Sequence, residues 1–256
     1  MARIFITGST DGLGLAAARS LIADGHEVVL HARRTERRAA IGEVADQVRG
    51  VLIGDLSRAK DVRSIAAQAN AIGRMDAVIH NAGIYHAPVR GQTSEGHAVT
   101  IAVNLLAPYM LTALMERPDR LIYISSGLHR GGGDGALNDI DWTERAWDAG
   151  GAYAESKLYV TALAFTLARR WPKVLSNAVD PGWVRTKMGG ASAPVDIATG
   201  ARTQTWLAGS GNPAAKVSGR YWHHMRQEES APAAMDAGVQ DRLIGKLKEL
   251  TGVDLF

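Results

Sequence analysis

The chain has 256 residues, enough for one large α/β domain with a full core. It carries no cysteine, which excludes disulfides and thiolate metal sites, and its 29 Lys and Arg exceed its 26 Asp and Glu by only three. The basic residues are scattered apart from Arg33-Arg34 and Arg37-Arg38, a pattern too local for a nucleic-acid surface but suited to one small phosphate.

The chain opens straight into Arg3-Ile4-Phe5-Ile6, without a basic-then-apolar leader. Short apolar runs then alternate with longer amphipathic ones. The pattern predicts a strand over Arg3–Thr7, a helix over Leu13–Ala23, a strand over Glu27–Ala32 and a helix over Glu36–Val48. It continues with a strand at Val51–Gly54, a helix at Ala59–Ala71, a strand at Ala77–His80 and a helix at Gly96–Met115. Strands at Arg120–Ser125 and Val174–Val179 flank a last helix at Tyr153–Arg170. Apolar strands separated by helices imply a doubly wound parallel sheet with helices on both faces and a ligand crevice at the strand C-terminal ends. With no repeat and no linker-like stretch, 1–256 reads as a single α/β domain. The longest apolar stretch, Ile101 to Met115, is broken by Asn104 and Pro108 and is too short for a bilayer, so a cytoplasmic protein without a membrane partner is expected.

Two features carry chemistry. The first strand runs into Thr7-Gly8-Ser9-Thr10-Asp11-Gly12-Leu13-Gly14. Gly8 permits a sharp exit, Gly12 lets backbone approach a pyrophosphate, and Gly14 lets the helix pack closely, its free N–H groups facing the phosphates. Far along the chain, Tyr153 and Lys157 stand one helical turn apart on one face. A cation beside the phenol favours the phenolate, so a depressed Tyr153 pKa and a general acid or base role are expected. The eight His make no spaced metal motif, and no metal is expected; adjacent His223 and His224 should point apart.

The glycine turn, with Tyr153 and Lys157, resembles the short-chain dehydrogenase/reductase family, and the likeness runs from Thr7 to at least Tyr221 with the motifs in family order. It implies a Rossmann-type fold and hydride transfer between nicotinamide and a carbonyl or alcohol. By the same resemblance Asp55, followed by Leu56, binds the adenine amine, and Asn81-Ala82-Gly83 braces the sheet beneath the cofactor. Asn104 holds a water of the proton relay by its backbone, and Ser126 is the catalytic serine. In Pro181-Gly182-Trp183-Val184-Arg185-Thr186, Val184 and Thr186 hold the nicotinamide carboxamide. Tyr153 exchanges the proton and Lys157 holds the nicotinamide ribose. Ala32 stands where an NAD-specific member usually carries an acid; Arg33, with Arg34 beside it, suits the 2′-phosphate of NADP. Asp11 points the other way, since many NADP enzymes have a basic residue there.

The 27 residues from Ser126 to Tyr153 make a longer insertion than in many members, similar to the retinol dehydrogenase and protochlorophyllide reductase branch. Substrate loops are therefore expected at 127–151 and 183–200. The glycines between Gly127 and Gly135 suggest a mobile lid, and Trp142, Trp147 and Trp183 are candidates for lining an apolar or aromatic carbonyl pocket, or else for pinning the loop. Apolar residues around much of Gly96–Met115 and Tyr153–Arg170 suggest a homodimer through these helices, unless the insertion covers them. The partner expected is a small-molecule carbonyl or alcohol. The alternative is a non-catalytic NADP-binding regulator or scaffold on the same fold.

Overall fold

β1 (Arg3–Ile6), β2 (Glu27–Ala32), β3 (Gly50–Ile53), β4 (Ala77–His80), β5 (Arg120–Ile124) and β6 (Leu175–Asp180) lie within two residues of the predicted strands. The computed structural model describes residues 1–85 and 88–256, apart from the side chain of Asp134. Two short strands, β7 (Tyr221–His223) and β8 (Arg226–Glu228), complete one sheet of order β3-β2-β1-β4-β5-β6-β7-β8. Neighbours pair in parallel except β7 with β8. The order reverses between β1 and β4, which opens a crevice above their C-terminal ends.

Strand side chains alternate between two cores. Phe5, Val29, Val78, Leu121 and Tyr123 face a layer that includes α2 (Ala59–Ile72), α4 (Ala107–Leu114), α5 (Ala149–Arg170) and α8 (Ala237–Thr251). Ile4, Ile6, Val28, Leu30, Ile79, Ile122 and Ile124 face α1 (Gly12–Ala23) and α6 (Ile197–Gly209). Each fully buried aliphatic side chain contributes roughly 1.5–3 kcal/mol, so this two-sided burial is the main force fixing the sheet. No described helix is long and apolar enough to cross a membrane.

Several local expectations are corrected. The segment predicted as a helix over Glu36–Val48 is a series of 3₁₀ turns over Thr35–Asp46, broken at Gly42 (φ 60°), and buries only Ile41 and Val44. The helix predicted over Gly96–Met115 starts later, with α3 (Val99–Ile101), passes through a π segment at Ala102–Leu106 and ends as α4. Pro108 has no N–H for the carbonyl of Asn104 four residues back, so the α ladder cannot continue through it. His223 and His224 do not point apart. A left-handed backbone at His224 (φ 43°) and Met225 (φ 67°) turns the chain between β7 and β8, and the rings stack 4.0 Å apart.

The helices expected to pair in a dimer are already covered. Every residue of α5 from Ala152 to Leu167 is buried, and α5 packs against α7 (Pro232–Met235), α8 and the 3₁₀ turn at Gly127–Gly131. Ala107 to Thr112 of α4 are buried as well. The insertion itself is docked, not free. A Cβ at Gly132 would lie 2.9 Å from Leu158 Cβ, and the Tyr159 hydroxyl donates to the Gly133 carbonyl at 2.9 Å. Arg145 forms a two-pronged pair with Glu155 at 2.7 and 3.0 Å, also bonds Asp139, and lies 3.9 Å over the Trp142 ring. Trp142 meets Trp147 edge to face, so both pin the insertion to the body.

Candidate active site

The turn after β1 is fixed by its own side chains and by its neighbours. Gly8 has φ 62°, and a Cβ there would meet Ala82 Cα at 2.9 Å; one on Gly14 would meet the Gly8 carbonyl at 2.5 Å. Only glycine allows β1, α1 and the β4 loop to approach this closely. Asn81 donates through Nδ2 to the carbonyls of Thr7 (2.9 Å) and Gly8 (3.1 Å), tying the loop after β4 to the glycine turn. Ser9 Oγ donates to the Ile6 carbonyl and accepts from the His31 amide. His31 completes the lock: its Nδ1 accepts from the Gly8 amide at 3.0 Å while Nε2 donates to the Gly54 carbonyl at 2.9 Å. Burial lowers its pKa, consistent with the neutral ring that an accepting Nδ1 requires.

Asp11 precedes α1 but does not cap it. Its Oδ2 accepts from Arg37 Nη2 at 2.6 Å and from Lys187 Nζ at 3.1 Å, which leaves the first amides of α1 to the crevice. Arg37, carried in by the 3₁₀ segment, also reaches Thr10 Oγ1 at 3.4 Å. Arg33 lies 3.3 Å from Asp55, whose Oδ1 accepts from the Ser57 amide and hydroxyl. Burial alone would raise the Asp55 pKa, but the two Ser57 bonds and Arg33 hold it below the usual range. Arg34 lines a separate shallow recess with Arg33, Asp55 and Arg58.

At the other end of the crevice stand the residues from β5, α5 and β6. The Ser126 hydroxyl stands near the Tyr153 phenol and favours its ionised form. Burial nonetheless pushes the phenol up to about 12. This corrects the expectation of a depressed value. Lys157 Nζ donates to the Ile124 carbonyl at 2.7 Å and sits 5.5 Å from the centre of the Tyr153 ring, not on its oxygen. Burial lowers Lys157 to about 8, against the nearby charge of Asp180, which raises it. Asn104 is buried, with Oδ1 accepting from the Ile84 amide at 2.8 Å and Nδ2 donating to Ser156 Oγ at 3.0 Å. A Cβ on Gly83 would lie 3.4 Å from Lys157 Nζ and 3.5 Å from Asn104 Oδ1, so these three positions adjoin.

One cavity of about 1300 Å³ joins both ends. It is lined by Gly8, Thr10, Gly12, Leu13, Gly14, Arg33, Asp55, Leu56, Asn81, Ala82 and Gly83 at one end. Ser126, Tyr153, Lys157, Pro181, Gly182, Val184 and Thr186 line the other. Of the sequence candidates, Ser9 lies beneath the turn, Asn104 behind Gly83, and Arg34 outside. Trp183 lines the cavity, whereas Trp142 and Trp147 do not. His31, Arg37 and Asp180 were not among the candidates. Arg37 stood in the basic cluster, but nothing in the strand pattern marked His31, and Asp180 showed only as an acid at a strand end. The glycine cradle, the open α1 amides and the adjacent arginines fit a dinucleotide phosphate chain. Among the described residues no group of three His, Asp or Glu could hold a metal.

Residues 8–216 match the family model described as enoyl-(acyl carrier protein) reductase. The chain is 41% identical to the short-chain dehydrogenase chry4 of Gibberella zeae, covering 100% of this chain and 99% of that protein. Among solved structures, one of an uncharacterized protein from Mycobacterium paratuberculosis is 25% identical with a TM-score of 0.84, covering 100% of this chain and 95% of that one. A blue fluorescent protein from a metagenomic library, in complex with NADPH, is also 25% identical with a TM-score of 0.68, covering 87% of this chain and 95% of that one.

Proposed function

The chain belongs to the short-chain dehydrogenase/reductase family of oxidoreductases, and on that premise we propose that it is an NADP-dependent reductase of ketones or aldehydes with an apolar or aromatic body. The observation that carries this reading is the meeting of Ser126, Tyr153 and Lys157 at one end of a cavity whose other end is the glycine cradle.

A bound nicotinamide supplies the hydride, or accepts it in the reverse direction. The glycine turn and the α1 amides bind the phosphates, and Asp55 with Leu56 borders the adenine. Arg33 takes the 2′-phosphate, while Arg37 and Lys187 neutralise Asp11 beside it. Val184 and Thr186 orient the nicotinamide end. Ser126 donates to the substrate oxygen and steadies its developing charge. Tyr153, a protonated phenol over the working pH range, gives its proton to that oxygen, which suits the reductive direction. Lys157 holds the ribose, and Asn104 fixes the loop after β4 at Ile84 behind it.

The half-exposed Leu128, Trp183 and Met188 around the cavity favour an apolar substrate body. Substrate-dependent NADPH consumption across ketones, aldehydes and quinones tests the reading. Turnover with at least one aryl or bulky carbonyl is expected, and none across the panel would overturn it.

A further inference from the structure

Asp180 ends β6 and lines the same cavity, immediately before the Pro181-Gly182 turn. Its side chain is 11% exposed. One oxygen is committed: Oδ1 accepts from the Gly182 amide at 2.9 Å. The other is not. Among the described residues Oδ2 takes no aligned hydrogen bond. His223 Nδ1 lies 3.4 Å from it and the buried Tyr221 hydroxyl is near enough to be drawn to the carboxylate, but neither atom meets it in an aligned hydrogen bond. A Cβ on Gly127 would lie 3.2 Å from Oδ2, so this oxygen opens beside the Ser126-Gly127 step. Its charge also reaches Tyr153 and Lys157.

A carboxylate oxygen only accepts hydrogen bonds, and a largely desolvated one is costly unless a donor meets it. Beyond Ser126, Tyr153 and Lys157, the side chains of Leu128, Trp183, Met188 and Tyr85 give the cavity a largely apolar wall. We propose that Asp180 is a specificity-determining acceptor, and that preferred substrates are apolar or aromatic carbonyl compounds bearing a hydroxyl or N–H donor within a few bonds of the carbonyl carbon. This rests on the reductase reading above. It narrows the substrate class from any greasy carbonyl to one with a donor placed for Oδ2.

The test uses aryl ketones hydroxylated at the α or the β carbon, each against its O-methyl ether. Both kcat/KM with NADPH and the calorimetric Kd are measured for the wild type and Asp180→Asn. In the variant the Gly182 amide keeps the carboxamide oxygen in the Oδ1 place, so the amide nitrogen takes the Oδ2 place and can only donate, to the hydroxyl oxygen and the ether oxygen alike. The wild type should favour the hydroxy ketone roughly tenfold or more at one position, the scale of a charge-assisted bond. In Asp180→Asn that ratio should fall to about one or invert. A wild-type ratio near one at both positions, which needs no variant to measure, overturns the proposal, as does a preference that survives in Asp180→Asn. If Asp180 served only to keep Lys157 charged, both ketones would change by the same factor and the ratio would hold. Should no ketone be reduced, the reductase reading fails by itself, and the Kd ratio still decides the role of Asp180.

Discussion

Arg37 Nη2 donates to Asp11 Oδ2 at 2.6 Å, across the mouth of the glycine turn. The acid that argued against a 2′-phosphate is thereby paired, and Lys187 adds a second cation at 3.1 Å. Arg33, with its side chain 62% exposed, remains available beside Asp55.

Cofactor choice follows from that arrangement. Arg33→Ala should weaken NADPH binding roughly tenfold or more while leaving NADH nearly unchanged, since only NADPH carries the extra phosphate. Arg37→Ala should act in the same direction by exposing the Asp11 charge to it. Fluorescence titration with both cofactors measures this, and a wild type that already prefers NADH would reverse the assignment.

Tyr153→Phe keeps the ring and removes the acidic proton, so turnover should fall on the order of 10²–10⁴-fold with NADPH still bound. Lys157 has two tasks, and Lys157→Ala should lower both turnover and cofactor affinity. Because burial holds Lys157 at about 8, its charge is lost as pH rises through that value. NADPH affinity should therefore decline above about pH 8, and a flat profile in the wild type would remove the ribose role from Lys157.

Stability should fall on mild acidification. His80 is fully buried, stacks on Tyr123 at 4.6 Å, and burial lowers it to about 3. The unfolded chain takes up this proton near 6.5 and the folded chain does not, so unfolding free energy drops as pH falls from about 6.5 towards 3. The full effect is on the order of several kcal/mol at about 1.4 kcal/mol per pH unit. His31 and His129 are lowered as well and act in the same window. In denaturant titrations between pH 7 and 4, His80→Asn should show a shallower slope than the wild type; an equal slope would contradict the burial argument.

The docked insertion depends on Arg145. Its removal leaves Glu155, with a side chain 8% exposed, without its two-pronged partner. Allowing for the partial exposure of Arg145, Arg145→Ala should cost about 2–4 kcal/mol and lower Tm by roughly 5–15 °C. An unchanged melting curve would mean that Tyr159, Trp142 and Gly132 hold the insertion by themselves.

With α5 buried from Ala152 to Leu167, light scattering at micromolar concentration should give a mass near 27.3 kDa. A doubled mass would require a contact through another face.

The sequence by itself showed the six inner strands, the parallel doubly wound class of the sheet, and the unusual residues at the strand ends; the strand order came from the tertiary structure. Those signals are local: apolar runs of strand length, glycines where backbone must crowd, and a Tyr and Lys one turn apart. The C-terminal quarter was less legible. No helix was expected over α8, although Val239, Leu243, Ile244 and Leu247 are spaced for one, and three-residue strands such as β7 carry too little pattern to find. Tertiary structure alone decided the state of the site. Tyr153 is a raised phenol because burial outweighs the influence of the nearby Ser126 hydroxyl, and Lys157 points at Ile124 because β5 passes beneath it. Likewise, Arg37 meets Asp11 and Asp180 faces Ser126-Gly127 only because separate crossovers return to one edge of the sheet. Charge pairing and desolvation depend on distances between residues far apart in the chain, and no local pattern encodes those.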